Sequence, residues 1–355
     1  MIDSYEYKWT CSAADLKEWD LFLKGDPRGH CQQVSHWLAS FKHYGADFEV
    51  LMVRNKENRI VAGVGVLIIG IPFFKVVIAP SGPVISAGHD QLFEDILHLF
   101  LEKARQKKAF YCHLNVPALK EDVEQLRKHT LSTIHTDSLF FSGRPGNQFK
   151  FVASINGFRP VIIPDHANES SYKQLFNSFN TNTRRNIRKA AHNELELKFA
   201  TTEAELKQAY SIIAEVAELQ QYRVRSWDRM KDMLLNMIED GLCLVPCCYA
   251  NGRLKGALVL WDIGQRLTYV YGGILREMPD LKGGHFLHHE MLKYSIRKGY
   301  SFYDFGVAGN EGVSRFKEGF QADHIEFNGT RYWVLNKVKY LLYEVFSWSL
   351  ERIKS

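Results

Sequence analysis

The sequence predicts an α/β protein made of two tandem copies of one domain, each built on a mixed β-sheet. The chain has 355 residues, which suits two domains of ordinary size. Short alternating strands and amphipathic helices follow one another in the same order in both halves. Similar short sequence segments also recur in the two halves at a nearly constant separation, which indicates an internal duplication.

The second half carries the clearer secondary-structure signals. Thr202 and Glu205 form a capping box at the start of one helix, and Gly299 ends another. Strands are predicted at 194–200, 242–249, 254–262, 266–272 and 300–306, and helices at 202–222, 227–241, 283–299 and 311–320. An Asn328-Gly329 pair predicts a hairpin between two final strands. One helix crossing over to a further strand predicts a parallel pair in an otherwise antiparallel sheet.

The first half repeats this order. Its strands are predicted at 5–10, 47–55, 59–68, 73–80 and 109–115, and its helices at 12–24, 33–43, 89–108 and 121–128. Arg59 and Arg253 are 194 positions apart in matching strands, and Phe110 and Phe302 are 192 apart. We therefore expect domains at 1–163 and 164–333. The apolar stripe of the closing segment, 334–355, predicts a helix packed on the first domain, with contact to a membrane surface as the alternative.

Composition restricts the class of protein only broadly. The net charge of +5 suits anionic substrates and is too small to indicate nucleic-acid binding by itself. The longest apolar stretch, 60–71, is too short to cross a bilayer, and the first residues do not resemble a signal peptide. We therefore expect a soluble, cytoplasmic protein without an integral membrane segment. The six cysteines show no CxxC spacing and are expected to be reduced core thiols.

Three stretches together resemble the Fem-type aminoacyltransferases and the GNAT-like acyltransferases grouped with them. They are "NTRRNIRKAAHNELEL", "APSGPVI" at 79–85 and "GYSFYDFG…GVSRFKEGFQADHIEF". The resemblance covers nearly the whole chain and implies two tandem GNAT-like (acyl-CoA N-acyltransferase) domains. The long coiled-coil arm of some Fem proteins is absent. The family's activity would be direct attack of an amine on an acyl or aminoacyl ester or thioester.

The resemblance assigns a catalytic role to Lys317, because its family counterpart follows a Phe, as Lys317 follows Phe316 here. That lysine is taken to place positive charge near the developing oxyanion; a solvated helix lysine is the alternative. Asp304 ends a strand, where α/β sheets place ligand groups. Asp304 is a candidate to accept a proton from the amine or to orient Lys317, or else to cap the following loop.

Gly283, Gly284 and His285 open a helix, and a helix N-terminus preceded by glycines can receive a phosphate. GNAT enzymes hold the pyrophosphate of coenzyme A at the equivalent turn. Here "DLKGGH" departs from their Q/R-x-x-G-x-G/A pattern, because Asp280 and His285 replace its first and last residues. This departure weakens the prediction of a coenzyme A site, and a plain tight turn is the alternative.

Four further residues are candidates for substrate binding. In Fem-type enzymes an arginine in the region of Arg223 and Arg225 grips the acceptor's phosphate, which suits a bidentate guanidinium. Tyr269 and Tyr271 alternate along a strand, so both are expected to line the acceptor cleft from one side. Packing of both tyrosines against a helix is the alternative.

Two clusters of charged or polar side chains are less specific indicators of a ligand site. The basic helix residues Arg184, Arg185, Arg188 and Lys189 suit phosphate or tRNA, or form a solvated face. His285, His288 and His289 lack the HExxH pattern, so no metal is predicted.

The sequence therefore predicts an acyltransferase that acts on an amine of a cell-wall or polysaccharide precursor. No firmly bound cofactor is expected; the donor is either aminoacyl-tRNA or acyl-CoA. The expected partners are a phosphate-bearing small molecule or lipid-linked precursor, possible tRNA, and possible peripheral membrane contact. One alternative is an acyl-CoA-dependent N-acetyltransferase acting on a small amine or amino sugar. A non-catalytic, duplicated binding module is the alternative of another class.

Overall fold

The structure is a computed structural model. It describes residues 5–71, 74–114, 156–158, 161–162, 169–306, 311–322, 324–326, 331–343 and 345. The chain divides into two compact units. The first comprises residues 1–23, 28–155 and 327–355, and the second comprises 24–27 and 156–326.

The elements of the first part of the chain follow the predicted order. They are β1 Glu6–Thr10, α1 Ala13–Gly25, α2 Ser35–Ala39, β2 Ala46–Arg54, β3 Ile60–Ile71, β4 Phe74–Ala79, β5 Val84–Ile85, α3 Phe93–Gln106 and β6 Tyr111–Leu114. Short 3-10 turns flank α2 and precede α3. The helix predicted at 121–128 lies outside the described residues.

The second part begins with β7 and returns to the first unit at its end. Its elements are β7 Asn156–Phe158, β8 Val161–Ile162, α4 Glu169–Ser178, α5 Thr181–Ala191, β9 Glu196–Phe199, α6 Glu203–Leu219, α7 Trp227–Glu239, β10 Cys243–Leu244, β11 Pro246–Ala250, β12 Arg253–Asp262, β13 Arg266–Ile274, α8 Gly283–Lys298, β14 Phe302–Asp304, α9 Glu311–Glu318, β15 His324–Glu326 and β16 Arg331–Val334. A final helix, α10, covers 337–343.

The two large sheets share the order of five strands, which confirms the predicted duplication; the sixth strand, β16, comes last in the chain in the first sheet, whereas its counterpart β8 comes first in the second. Strand order is β1-β2-β3-β4-β6-β16 in the first unit and β9-β11-β12-β13-β14-β8 in the second, read in matching directions. In each sheet the fourth and fifth strands, β4 with β6 and β13 with β14, are parallel, and the other pairs on the path are antiparallel. The parallel pair follows a crossover helix, α3 or α8, as βαβ connectivity requires.

Local sequence explains several element boundaries. Thr202 and Glu205 form the predicted capping box at the start of α6. Gly299 ends α8 in the left-handed conformation that glycine adopts at low cost. Leu287, Met291 and Ile296 of α8 are buried against the sheet of the second unit, so this helix covers one face of β12–β14.

The predicted hairpin around Asn328-Gly329 is wrong. β15 pairs with β7 in a two-stranded sheet, whereas β16 pairs with β6 in the sheet of the first unit. The turn residues themselves lie outside the described part of the chain. A turn signal is local, and here the apolar side of β16 instead joins the first core, where Trp333 packs on Phe100.

The prediction that α10 packs through its apolar stripe is also wrong about the face that packs. Val338, Leu341 and Leu342 are exposed. The buried residues of α10 are Tyr340 and Tyr343, whose rings pack on Phe110 and Tyr111 of the first unit. The helix therefore docks through its tyrosines, which lie on the side of the helix opposite the aliphatic stripe.

This orientation predicts unequal effects of two substitutions in α10. Tyr343→Ala removes a buried ring and should lower the free energy of unfolding by about 3 kcal/mol. Leu342→Ser, on the exposed side, should change it by less than about 0.5 kcal/mol. Urea unfolding followed by circular dichroism measures both, and a larger loss for Leu342→Ser would mean that the stripe is the docking face.

Candidate functional site

The candidate site lies where the parallel strands β13 and β14 separate. They pair only from Arg266–Phe302 to Thr268–Asp304, after which β14 ends and β13 continues. Gly306 then turns the chain with a φ of +69°, and a Cβ there would lie 2.6 Å from the carbonyl oxygen of Tyr269. Only glycine tolerates both conditions. The chain therefore turns close against the backbone of β13, just beyond the end of β14.

Lys317 of α9 lies at this end of β14. Its side chain is buried, and its Nζ donates a hydrogen bond of 2.6 Å to the carbonyl oxygen of Phe305. The same Nζ lies 5.3 Å from the ring centroid of Tyr269, within the range of a cation–π interaction. We call Tyr269, Asp304, Phe305, Phe316 and Lys317 the strand-end site.

Burial shifts the pKa of Lys317. Desolvation lowers the pKa of the ammonium from 10.5 to about 8, and the attraction of Asp304 acts in the opposite direction. At pH 7 the group is therefore still a cation. Because it is buried away from water, its electrostatic interactions with neighbouring groups are stronger than they would be at the surface.

Asp304 lies at the end of β14 and its Oδ1 accepts a 2.7 Å hydrogen bond from the backbone N–H of Gly306. Burial is the largest cause of a raised pKa for Asp304, while Arg266, the Gly306 N–H, Lys317 and Thr268 act in the opposite direction. The hydrogen bond to Gly306 is the loop-capping contact that the sequence offers as the alternative role of Asp304. The carboxylate also attracts the ammonium of Lys317.

Tyr269 and Tyr271 do not share a face of β13, so the alternation predicted for them is wrong. Leu260 pairs with Tyr269 and the neighbouring Val259 pairs with Tyr271, which leaves Val270 as the extra residue of a β-bulge. The bulge reverses the alternation. Tyr269 therefore faces α8 and Lys317, and Tyr271 points to the other side of the sheet.

Aromatic packing brings Phe316 into the same site. Its ring centroid lies 4.9 Å from that of His285 and 5.4 Å from that of His288, two residues of α8. His285 is hydrogen-bonded to Asn186 of α5 at 3.2 Å, and burial lowers its pKa to about 4. His288 was considered in the sequence only as a metal ligand; its spacing of three from His285 was the available signal for a shared face.

The loop before α8 already contains its own anion. Asp280 accepts a 2.9 Å hydrogen bond from the backbone N–H of Lys282 and forms a 2.6 Å ion pair with the side chain of Lys282. A Cβ on Gly283 would lie 3.3 Å from Ile274, so that glycine permits close packing of the helix on β13. These contacts favour the tight-turn interpretation of "DLKGGH".

The two candidate arginines lie on the segment between α6 and α7. Arg223 is exposed, and within the residues that the structure describes its side chain makes no hydrogen bond or ion pair. Arg225 is half-buried, and its carbonyl oxygen accepts a hydrogen bond of 2.7 Å from Tyr210. Arg223 is thus the one with a guanidinium available to a ligand.

The basic residues of α5 lie on its outer side. Thr183, Asn186 and Ile187 are buried, while Arg185 and Lys189 are exposed. Asn180 caps the helix by accepting a 2.7 Å hydrogen bond from the N–H of Thr183. The cations therefore stand on an ordered helix.

The described ranges lack two features. No group of three or more His, Cys, Asp or Glu side chains has the arrangement of a metal site. Within the same ranges, no helix combines the length and apolar character needed to span a bilayer.

Comparisons with known proteins identify the second unit as a GNAT-type domain. The model of the acetyltransferase (GNAT) domain matches residues 177–318, which include Lys317. The model of the FemAB family matches residues 15–242, more than half of the sequence. The chain belongs to the FemAB family and is an enzyme of the acyl- and aminoacyl-transferring class.

Solved structures support the fold. A crystal structure of FemX matches with a TM-score of 0.78 at 16% identity, covering 94% of this chain and 99% of FemX. The C-terminal domain of a putative lysylphosphatidylglycerol synthetase from Agrobacterium fabrum matches with a TM-score of 0.51 at 13% identity, covering 90% of this chain and 92% of that domain. A search of curated proteins finds no significant match. These likenesses confirm the predicted tandem GNAT-like architecture.

The lowered pKa of Lys317 predicts a pH-dependent stability. Between about pH 8 and 10.5 the unfolded chain binds this proton more tightly than the folded protein does, so folding is increasingly favoured as pH rises. Relative to Lys317→Met, the wild type should gain up to about 3 kcal/mol between pH 7 and 11. Denaturant unfolding of both proteins across this range measures the difference, with Lys293→Met, a half-buried lysine of α8, as the control. A constant difference would contradict a depressed pKa.

Proposed function

We propose that the second unit transfers an aminoacyl group from aminoacyl-tRNA to an amine of a phosphate-bearing cell-wall precursor, at the strand-end site. The observation that carries this proposal is the buried ammonium of Lys317, which lies 2.6 Å from the Phe305 carbonyl oxygen just beyond the end of β14. Membership of the FemAB family supports the reaction class and this choice of substrates.

The proposed reaction needs no covalent enzyme intermediate. The neutral amine attacks the ester carbonyl carbon, a C–N bond forms, and the carbonyl oxygen becomes an oxyanion. Collapse breaks the bond to the ribose oxygen, which leaves with a proton as a free hydroxyl group, while the amine loses one proton. The enzyme's tasks are alignment of both substrates and stabilisation of negative charge.

Lys317 is proposed to stabilise the oxyanion. Its ammonium has three N–H groups, and the Phe305 carbonyl accepts from one of them. Because the charge is fixed in a dry site before the substrate arrives, little reorganisation is needed as the oxyanion forms.

Asp304 is proposed to keep Lys317 charged and to take the proton that the attacking amine releases. Its attraction favours the ammonium form of Lys317, and burial raises its own pKa, which makes the carboxylate a stronger base. The Gly306 N–H holds one carboxylate oxygen in place.

Arg223 is proposed to bind the phosphate of a nucleotide- or lipid-linked acceptor. Its exposed guanidinium suits bidentate contact with phosphate oxygens. For a lipid-linked acceptor, the exposed Val338, Leu341 and Leu342 of α10 support peripheral contact with a membrane. A cytoplasmic location stays a prediction.

The donor is proposed to be aminoacyl-tRNA because Asp280 occupies the loop where coenzyme A would place its pyrophosphate. The carboxylate there accepts from the backbone N–H of Lys282 and pairs with its ammonium, so it already occupies two donors that would otherwise be offered to phosphate. The exposed Arg185 and Lys189 of α5 offer a surface for an RNA backbone. The match to the acetyltransferase domain model favours the second candidate, N-acylation from acyl-CoA.

Lys317→Ala should lower kcat by about 10²–10³-fold, because it removes a preorganised cation from the oxyanion. The affinity for the acceptor should change little. Steady-state kinetics with charged tRNA, together with calorimetric titration of the acceptor, separate the two quantities. Unchanged kcat, or loss of binding alone, would exclude this role.

Two substitutions serve as controls for that experiment. Lys293→Ala removes a lysine paired with Glu290 on α8, outside the strand-end site, and should leave kcat unchanged. Arg223→Ala should raise the KM of the acceptor with a much smaller effect on kcat, because the phosphate is bound equally well in the ground state and in the transition state.

Thermal-shift titration should distinguish the two donors. Uncharged tRNA should raise the melting temperature and coenzyme A should not, since a ligand stabilises only the state that binds it. Arg185→Glu with Lys189→Glu should reduce the shift with tRNA. The matched Lys207→Glu variant, an exposed lysine of α6, should retain the shift. A shift with coenzyme A alone would support the acyl-CoA reaction instead.

A further inference from the structure

His288 of α8 lies beneath the strand-end site among aromatic rings. The side chain is only 2% exposed. Its ring centroid is 4.9 Å from that of Tyr269, at an interplanar angle of 88°, and 5.0 Å from that of Phe305. The rings of Phe316 and Phe320 lie at 5.4 Å and 5.9 Å. His288 is therefore packed tightly on several sides.

A hydrogen bond holds the imidazole in this packing. Nδ1 of His288 lies 2.8 Å from the hydroxyl of Tyr303, a fully buried residue of β14. Within the described part of the chain, this is the only hydrogen bond that the ring makes. Rotation of the imidazole would break it and leave the buried hydroxyl of Tyr303 unsatisfied, which is costly.

The imidazole is neutral at physiological pH. Burial lowers the pKa of His288 to about 3, and the positive charge of Lys317 acts in the same direction. A neutral ring adds no second cation beside Lys317, and its rigid aromatic body can serve as a packing surface.

The two contacts of Lys317 described above both belong to residues that pack on His288. Its ammonium lies over the ring of Tyr269, whose ring meets that of His288 at a right angle. The ammonium also donates to the carbonyl of Phe305, whose ring lies against the imidazole. A shift of His288 would therefore move both groups that locate the ammonium.

We propose that His288, held by Tyr303, is a positioning residue that sets the location of the Lys317 ammonium through Tyr269 and Phe305. The catalytic consequence rests on the function proposed above, whereas the positioning itself is a property of the folded protein. Tyr303 and His288 touch no reacting atom in this scheme and act only through other residues.

The titration of Lys317 tests the positioning without any substrate. The titratable groups that act on this lysine or lie against it are Asp304 on β14, Tyr269 on β13 and His288 on α8. Tyr303→Phe keeps the ring and removes the hydroxyl. Without the hydrogen bond, His288 should hold Tyr269 and Phe305 less firmly, and water should reach the ammonium more easily. Lys317 should therefore titrate about one pH unit higher. NMR of ¹³Cε-lysine-labelled protein follows this titration, and Lys317→Met identifies the signal.

Two further variants make the result specific. His288→Phe retains a ring and loses the hydrogen bond, so it should shift the titration in the same direction, and adding Tyr303→Phe should produce little more. Tyr294→Phe removes the hydroxyl of another α8 tyrosine, which stacks on Tyr300 instead, and should leave the titration unchanged. Near-wild-type far-UV circular dichroism confirms folding. A Lys317 titration unmoved by Tyr303→Phe would overturn the proposal.

Kinetics supply the second readout. Tyr303→Phe should lower kcat roughly tenfold without changing the KM of the acceptor. In a plot of kcat against pH, the fall on the alkaline side should shift to higher pH by the same amount as the Lys317 titration measured by NMR. A lowered kcat with no such shift would mean a merely structural role and would overturn the proposal. An inactive wild type would count against the proposed function alone, because the NMR titration still decides the positioning.

Discussion

The burial of one ammonium group is the constraint on which the site depends. Lys317 is 4% exposed, so its charge must be satisfied by neighbours rather than by water. The Phe305 carbonyl and the Tyr269 ring contact this ammonium, just beyond the last β13–β14 pair, Thr268–Asp304. The turn that follows requires a glycine at Gly306, because its φ is positive and a side chain would meet the Tyr269 carbonyl oxygen.

The duplicated scaffold shows that topology alone does not create this site. In the first unit, β4 and β6 pair as β13 and β14 do, and the offset of 192 that aligns Phe110 with Phe302 makes Cys112, paired with Val77, the counterpart of Asp304. Cys112 is fully buried, and burial raises the pKa of its thiol, so this position carries a neutral thiol rather than an acid. The same sheet therefore carries an apolar core at this position in one unit and charged side chains in the other, in keeping with the principle that function lies in sites placed on folds.

Helix α8 links the core of the second unit to its chemistry. Leu287, Met291 and Ile296 anchor the helix in the core, while His288 faces the rings beneath Lys317. At its start, the ion pair of Asp280 with Lys282 gives the preceding loop its own anion. The helix that GNAT enzymes use for coenzyme A thus has, in this chain, a different electrostatic environment at its N-terminus and a packing role along its length.

The sequence by itself determined the fold class, the duplicated element order and the parallel pair after the crossover helix, and it offered Lys317 and Asp304 as candidate site residues. Periodicity and capping are local properties, so α6 with its Thr202–Glu205 box was predictable. Only the tertiary structure decided which side Tyr269 faces, because one bulge residue, Val270, reverses the alternation. Likewise, only packing decided that β15 and β16 join different sheets and that α10 docks through Tyr340, since these outcomes depend on partners distant in sequence.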